Sequence, residues 1–382
     1  MTNAFEKCKS LRKWSVYVKR TYGKAYLTQI REILRLRKSA SRLGATDYYK
    51  YHLYDDLRFD WEAKQTFAGW RIVDELDRRL NSVRWLGVTT DKLIVYSVLR
   101  GLEIPTPRLL CVYHPSGRFF GAVPSFNDVG ELGRFLRQGM RYPFFAKPVH
   151  GSVGVGAYAV SGVDSAKDEL QLLDGRRVAV EEFVLQCRSE PGIYPWESGY
   201  LFQEYVRPHA RIVEVCGPRL SSVRIIVLLS DAGPRVHMAV WKVTTGSNVT
   251  DNWRHGQAGN LLAWVDIHTG EVVRVVGRSA SAPDLEDYYG EVELHPDTGQ
   301  RLKGFAIPQW PEFVELVKRA STIYPALRVQ HWDIAITDNG PVALEINIGG
   351  DLDLPQLTGQ GFLSPRFVEF LEELRASYRA YR

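Results

Sequence analysis

Near the C-terminus the chain reads WDIAITDNGPVALEIN, residues 332 to 347, and three of its side chains, Asp333, Glu345 and Asn347, offer oxygen donors. Two runs that alternate apolar and other residues flank Asp338-Asn339-Gly340, a strong turn signal, so the segment reads as a β-hairpin. With a three-residue turn, Thr337 pairs with Pro341 and Asp333 lies directly across from Glu345. Asn347 shares the face of Glu345 because side chains alternate along a strand. Donors of oxygen alone suit hard Mg2+ and disfavour zinc. Two carboxylates opposed on an apolar sheet repel, and a shared cation removes that cost. A polar face open to water is the plainer alternative.

Three other stretches carry chemistry of their own. FFAKPVHGSVGVGAYAV sets Lys147 at the end of an apolar strand and follows it with Gly151, Gly154 and Gly156. Backbone N–H groups exposed by glycines, together with an anchored lysine, suit the phosphates of a nucleotide, although a hairpin also needs glycines. The spacing matches neither a P-loop nor a dinucleotide fingerprint. YLFQEYVRPHA is an apolar strand that ends in Gln203 and Glu204 and breaks at Pro208. Such a segment holds adenine through alternating backbone donors and acceptors, and it reads equally as a strand running into solvent. VAVEEFV, around Glu181 and Glu182, competes for that hinge role. SSVRIIVLL buries Arg224 in a β-branched run, which is costly unless the guanidinium meets an anion, either a neighbouring carboxylate or a phosphoryl group.

These groups need elements to hold them. Residues 4 to 43 read as helix, with Leu27, Ile30, Ile33 and Leu34 at helical spacing and Gly44 as a stop. A second helical stretch runs from Asp60 to Leu80, and DKLIVYSVLRG gives a third that ends at Gly101, followed by an extended segment past Pro105 and Pro107. From Phe119 onward the texture changes to strands: RFFGAV, PFFAKPV, GVGAYAV, RRVAVEEFV, YLFQEYV, SSVRIIVLL, VHMAVWKV and LLAWVDI, with one helix over FNDVGELGRFLRQG. Many strands and few long helices predict an α+β chain with antiparallel sheets. The last 19 residues read as a surface helix capped by Ser364-Pro365.

At 382 residues, 45% hydrophobic and 24% charged, the chain has the make-up of a globular protein of two or three packed units. Its apolar runs are too short to span a bilayer, the first residues lack an apolar leader, and a cytoplasmic location is expected. Cys8, Cys111, Cys187 and Cys216 are scattered without the spacing of a zinc site or a disulfide framework. The net charge of +5 conceals an asymmetry, since residues 1 to 44 hold 12 Lys or Arg against Glu6 and Glu32. This arm reads as a solvated helix face or as a contact with anionic lipid, nucleic acid or an acidic partner.

Taken in order, Lys92 in DKL, Lys147 in FFAKP, the glycine-rich loop, FQEYV, Arg224 and the hairpin resemble an ATP-grasp enzyme. LFQEYVRPHARIVEVCGPRLSSVRIIVL, WDIAITDNGPVALEINIGGDLDLPQ and GATDYYKYHLY narrow the likeness to the sugar-transfer associated ATP-grasp family, over roughly Gly44 to Leu363. The resemblance implies an α+β ATP-grasp fold, two subdomains clasping ATP, with a helical N-terminal extension. It divides the chain into a basic helical region (1–86), a first subdomain with its lead-in (87–206), a second subdomain with the metal site (207–363) and a C-terminal helix (364–382). It also implies that Lys92, Lys147 and Ser152 meet ATP phosphates, that Gln203, Glu204, Tyr205 and Val206 form the adenine hinge and that His209 lies near the nucleoside. Arg224, with Lys147, would steady the transferring phosphoryl group, and Asp333, Glu345 and Asn347 would hold Mg2+.

The activity so implied is ligation of a carboxylate to an amine through an acyl phosphate, on a sugar-, amino acid- or peptide-like intermediate. Phosphorylation of a hydroxyl, or a non-catalytic nucleotide-binding module of a glycosyl-transfer complex, are the alternatives. No nucleic acid partner is expected, and residues 1 to 43 are the candidate for a peripheral membrane or protein contact. The chain departs from the family pattern at TDNWRHGQAGNLLAWVD, where Asp251-Asn252 is kept but Ala258-Gly259 stands in place of a Gly-Gly pair. Asn252, Arg254, His255 and Asp351 are the substrate-side candidates, with Arg254 and His255 suited to an acidic group or to plain exposure in a loop.

Overall fold

The computed structural model describes residues 4–151, 154–189, 198–279, 281–282, 285, 288–347, 349 and 351–380. Its framework is two seven-stranded sheets. The first joins β1 (Leu109–Tyr113), β2 (Ser125–Phe126), β3 (Phe144–Pro148), β4 (Tyr158–Asp164), β5 (Glu169–Leu172), β6 (Arg177–Ala179) and β7 (Tyr200–Glu204), in the order β2-β1-β7-β3-β4-β5-β6. Only β1 and β2 run parallel. The second sheet joins β8 (Ser222–Ser230), β9 (Gly233–Val243), β10 (Leu261–Val265), β11 (Val272–Arg278), β12 (Tyr289–Glu291), β13 (Val329–Thr337) and β14 (Gly340–Asn347). It is antiparallel throughout, in the order β12-β11-β10-β9-β8-β13-β14.

Thirteen helices flank these sheets among the described residues: α1 (Ala4–Tyr22), α2 (Tyr26–Lys38), α3 (Ala45–Lys50), α4 (Trp61–Gln65), α5 (Trp70–Leu80), α6 (Leu86–Thr90), α7 (Lys92–Gly101), α8 (Val129–Gln138), α9 (Val180–Ser189), α10 (Ala210–Cys216), α11 (Trp310–Ser321), α12 (Asp353–Leu357) and α13 (Pro365–Ala380). In the first unit, α8 and α9 bury Leu132, Leu136, Phe183 and Val184 against Phe144 and Phe202 of the sheet. Asp128 caps α8 by accepting a hydrogen bond from the Glu131 N–H at 2.9 Å, which satisfies a donor the helix itself cannot pair.

The second sheet is covered on both faces, which is why its middle strands read as continuous apolar runs instead of alternating ones. Along β8, Ile225 and Val227 face a core shared with Phe313 and Val317 of α11. Ile226 and Leu228 point the other way, into a cluster with Phe367 and Phe370 of α13. Further along that opposite face, Val240, Leu262 and Val276 meet Trp14, Tyr48 and Tyr54 of the N-terminal region. The basic arm is therefore no appendage: its inner surface completes the sheet's cover.

Several sequence expectations are corrected. The helix expected over 4 to 43 is two helices, because Gly23 adopts φ +69, a left-handed conformation that ends α1. The turn that follows buries Lys24 between Glu32 at 2.9 Å and Asp56 at 2.7 Å. The stretch from Asp60 to Leu80 likewise divides into α4 and α5. RRVAVEEFV is a three-residue strand followed by α9, so Glu181 and Glu182 lie in a first helical turn and form no hinge. RFFGAV is irregular, and the edge strand falls at Ser125–Phe126. The C-terminal helix is more than a surface element, since Phe367 and Phe370 are fully buried.

The hairpin is also built differently from its expected form. Thr337 pairs with Gly340 across a two-residue turn, Asp338-Asn339, and a bulge between Ile334 and Asp333 takes up Leu344 as the extra residue. The bulge restores the register, so Asp333 does pair with Glu345.

Phe313 of α11 is fully buried and stacks on Trp310 with ring centroids 5.9 Å apart. Phe313→Ala is expected to lower unfolding free energy by about 3–5 kcal/mol, as removal of a large core ring does. Urea denaturation followed by circular dichroism checks this, and a loss below about 1 kcal/mol would detach α11 from the core described.

Candidate active site

Between the two sheets lies a cleft of about 430 Å³. The first sheet and the α7 helix supply Lys92, Lys147, Gln203 and Glu204, and the second sheet supplies Arg224, Asp333, Glu345 and Asn347. Lys92 is the first residue of α7, which Asp91 caps by accepting from the N–H groups of Leu93 at 2.9 Å and Ile94 at 3.0 Å. Its ammonium donates to the Gly151 carbonyl at 2.8 Å, which ties the helix start to the glycine-rich loop. Burial, and then the nearby charge of Lys147, lower the Lys92 pKa to about 8 against the pull of Glu345 and Asp91. Lys147 on β3 reaches across the cleft to within 3.9 Å of Glu345.

At the other end of the first sheet, the Glu204 N–H donates to the Arg108 carbonyl at 2.9 Å, and its carboxylate accepts from the Arg108 N–H at 2.8 Å. Gln203 donates to the Pro107 carbonyl at 3.3 Å and is buried. Their side chains are thus held by the incoming Pro107-Arg108 segment, and Tyr205 and Val206 line the cleft just beyond the strand.

The floor is a buried ionic network. Arg224 grips Asp333 with two parallel hydrogen bonds of 2.8 Å, and Lys242 donates to both Asp333 and Asp251 at 3.1 Å. Asp251 in turn accepts from the Ser222 N–H at 2.7 Å and the Ser222 hydroxyl at 2.5 Å. Burial favours the neutral acid, but the charges of Arg224 and Lys242 outweigh it and hold the Asp333 carboxyl well below the usual carboxylate range. Burial opposes the charged forms of Arg224 and Lys242 as well, and their carboxylate neighbours raise both pKa values above ordinary. Asn347 donates to Asp333 and to Glu345 at 3.3 Å each, bringing the three oxygen-bearing side chains of the hairpin together.

This donor set fits a hard cation. Among the described residues no three His, Cys, Asp or Glu side chains converge as a closed metal cage. Two carboxylates and a carboxamide instead make an open, oxygen-only set, which suits Mg2+ that draws its remaining ligands from phosphates and water. Asp333 is already engaged by Arg224 and Lys242, so Glu345, half-exposed, is the less committed carboxylate.

The substrate-side candidates line the same cleft: Asn252, Arg254, His255 and Asp351. Arg254 and His255 carry φ of +43 and +54, a left-handed turn unusual for residues with side chains. Trp253 braces that turn against Tyr289, with ring centroids 5.3 Å apart. Burial, and then the neighbouring Asp353, raise the Asp351 pKa. His209 is not part of the lining: it is the N-cap of α10, where its ring accepts from the Arg211 N–H at 3.1 Å beside Asp338 of the hairpin turn. Ser152 lies outside the described residues. Lys242 and Asp251 were not among the expected site residues, yet both line the cleft. The signal for Lys242 was present in VHMAVWKV, where a lysine in an apolar strand demands a buried anion by the reasoning applied to Arg224.

Two largely antiparallel sheets holding lysines, an arginine and oxygen donors across one cleft define an ATP-grasp protein. The family model for sugar-transfer associated ATP-grasp proteins matches residues 71–371, and the chain belongs to that family. No curated protein matches the sequence. Among solved structures, the ATP-grasp ligase PsnB complexed with a minimal precursor is 15% identical, over 77% of this chain and 63% of its own, with a TM-score of 0.38. D-alanine–D-alanine ligase from Bacillus anthracis is 13% identical over 81% and 76%, with a TM-score of 0.38. L-amino acid ligase from Bacillus licheniformis is 12% identical over 79% and 53%, with a TM-score of 0.40. The chain spans under two thirds of the length of PsnB and of the L-amino acid ligase.

Asp333→Asn removes one charge from a buried network and leaves Arg224 and Lys242 short of a partner, so a loss of about 3–5 kcal/mol in stability is expected. Because the folded pKa is depressed, the wild-type advantage is present above the unfolded value near 4 and fades as pH falls below it. Urea midpoints of both proteins across acid pH read this out: the two curves should converge toward low pH, and parallel curves would contradict the assignment.

Proposed function

We propose that the protein is an ATP- and Mg2+-dependent ligase that activates a carboxylate as an acyl phosphate and passes the acyl group to an amine. The observation that carries this reading is the convergence of Lys92, Lys147, Arg224 and the hairpin donors on one cleft between two sheets. In the first step a carboxylate oxygen of the acid attacks the terminal phosphorus of ATP and ADP leaves. In the second, the amine nitrogen attacks the acyl carbon, phosphate departs with the bonding electrons, and the nitrogen loses a proton. Dividing the condensation this way makes each step feasible.

In this reading Lys92, Lys147 and the glycine-rich loop bind the phosphates, and the segment from Gln203 to Val206 takes the adenine. Arg224 is oriented by Asp333 toward the cleft and neutralises charge on the transferring phosphoryl group. Asp333, Glu345 and Asn347 would hold Mg2+, which supplies further neutralisation of phosphate charge. Arg254 and His255, presented by their left-handed turn, meet an acidic group of the acid or acceptor. This reading sets the chain in the reducing cytoplasm, in keeping with the scattered cysteines of the sequence.

Incubation with ATP, Mg2+, candidate acids and hydroxylamine should trap a hydroxamate with release of ADP. Phosphorylated product without hydroxamate would point to phosphoryl transfer to a hydroxyl instead. Removing Mg2+ with a chelator should abolish ADP release, and Glu345→Gln should reduce it by about a hundredfold or more.

Lys92 provides a pH test. A lowered pKa near 8 means the free protein carries the charge below that pH and loses it above, while bound phosphates favour the charged form. ATP affinity, measured by calorimetry, should therefore weaken as pH rises through about 8 and flatten in Lys92→Met. An unchanged pH profile in the variant would remove Lys92 from the phosphate site.

A further inference from the structure

Helix α2 presents two faces of opposite character. Toward the body, Gln29 and Leu36 are buried, Tyr49 donates to the Gln29 side chain at 2.8 Å, and Glu32 receives Lys24 at 2.9 Å and the Tyr48 hydroxyl at 2.6 Å. These contacts hold the helix in place and occupy its one carboxylate. On the outer side Leu27, Ile30 and Leu34 form an apolar ridge, 68%, 51% and 50% exposed, with Tyr26 beside it at 41%. At 100° and 1.5 Å per residue these three residues lie within one 60° arc about 10 Å long.

Arg31, Arg37 and Lys38 stand within about 40° of that ridge, Arg35 lies further round over the Trp61 ring at 3.9 Å, and no acidic residue shares this side of the helix. Lys19, at the end of α1, leans over the Tyr26 ring at 4.6 Å and extends the basic margin. Arg31, Arg37 and Lys38 are exposed, and among the described residues they form no ion pair, so their charge is unspent. A merely solvated helix face has no reason to keep three large aliphatic side chains in water, and phosphate backbones of a nucleic acid would satisfy the bases but leave that ridge wet.

We propose that the outer face of α2 docks on the surface of an anionic lipid bilayer, with Leu27, Ile30 and Leu34 entering the headgroup boundary and Arg31, Arg37 and Lys38 meeting lipid phosphates and carboxylates. An apolar ridge framed by cations is the pattern that binds such an interface, through buried area and electrostatic attraction together. The inner face of the helix keeps its contacts with the body, so docking needs no unfolding. This inference is independent of the reaction assigned to the cleft.

Vesicle sedimentation with the full chain tests it. The protein should pellet with phosphatidylcholine vesicles carrying about 30 mol % phosphatidylserine and not with pure phosphatidylcholine, and high salt should weaken the association. Leu27→Ser/Ile30→Ser/Leu34→Ser and Arg31→Gln/Arg37→Gln/Lys38→Gln should each lower the partition coefficient about tenfold or more, with melting temperature unchanged because all six side chains are exposed. Failure of the wild type to pellet, or both variants pelleting as the wild type does, overturns the proposal. So does a dimer in analytical ultracentrifugation that the serine variant abolishes while anionic vesicles go unbound, since a second copy of the chain would then be the occupant.

Discussion

The constraint on which the cleft depends is the burial of Asp333 against Arg224 and Lys242. None of the three can be removed alone without stranding charge in a site walled by apolar strands. Because they stand on adjacent strands β9, β8 and β13, their pairing also sets the lateral registry of the sheet's centre. Replacement of the set by hydrocarbon would be tolerable for the fold but not for the phosphate-binding cleft proposed above. The network keeps a guanidinium charged and aimed before any ligand arrives, which would leave little reorganisation for the proposed reaction.

That scaffold has a second support in the N-terminal helices. Lys50 and Tyr51 at the end of α3 both bond Asp353, whose own N–H donates to Asp351 at 2.8 Å. A region that looks like a charged extension in the linear chain is thereby joined to the rim of the cleft. Its Tyr and Trp side chains close one face of the second sheet, so the extension and the family core share one hydrophobic interior.

Much of the candidate cleft was legible in the sequence because each local pattern contained a cost. Arginine in SSVRIIVLL and facing carboxylates in a hairpin are unfavourable unless something compensates, and both anomalies led to the cleft. The order of Lys92, Lys147, FQEYV, Arg224 and the hairpin then indicated the family that the match over residues 71–371 shows. What was lost depended on partners remote in sequence. Arg224 reads equally well as a ligand of phosphate or of a carboxylate, and only the folded sheet brings Asp333 to it. Lys242 poses the same problem in its own strand, and of its two anions, Asp251 and Asp333, the second is likewise remote. Helix ends failed where one glycine or a short loop, at Gly23 and at Thr66 to Gly69, interrupts a pattern that is otherwise periodic. His209 stood near the hinge in sequence, yet capping α10 turns its ring toward the hairpin tip.

The hairpin tip has a further meaning. Asp338 accepts from the Ala210 N–H at 2.9 Å and the Ile336 carbonyl accepts from the His209 N–H at 2.8 Å, so the turn is also the start of α10. One ribbon thus answers to two masters, a helix to be seated at its distal end and a pair of facing acids at its proximal end. A two-residue turn satisfies the first and would leave the second out of phase by one. The extra residue at Leu344 acts as a phase corrector between them, which makes turn length and bulge a single inherited unit: a change in one without the other would rotate Glu345 to the opposite side of the sheet.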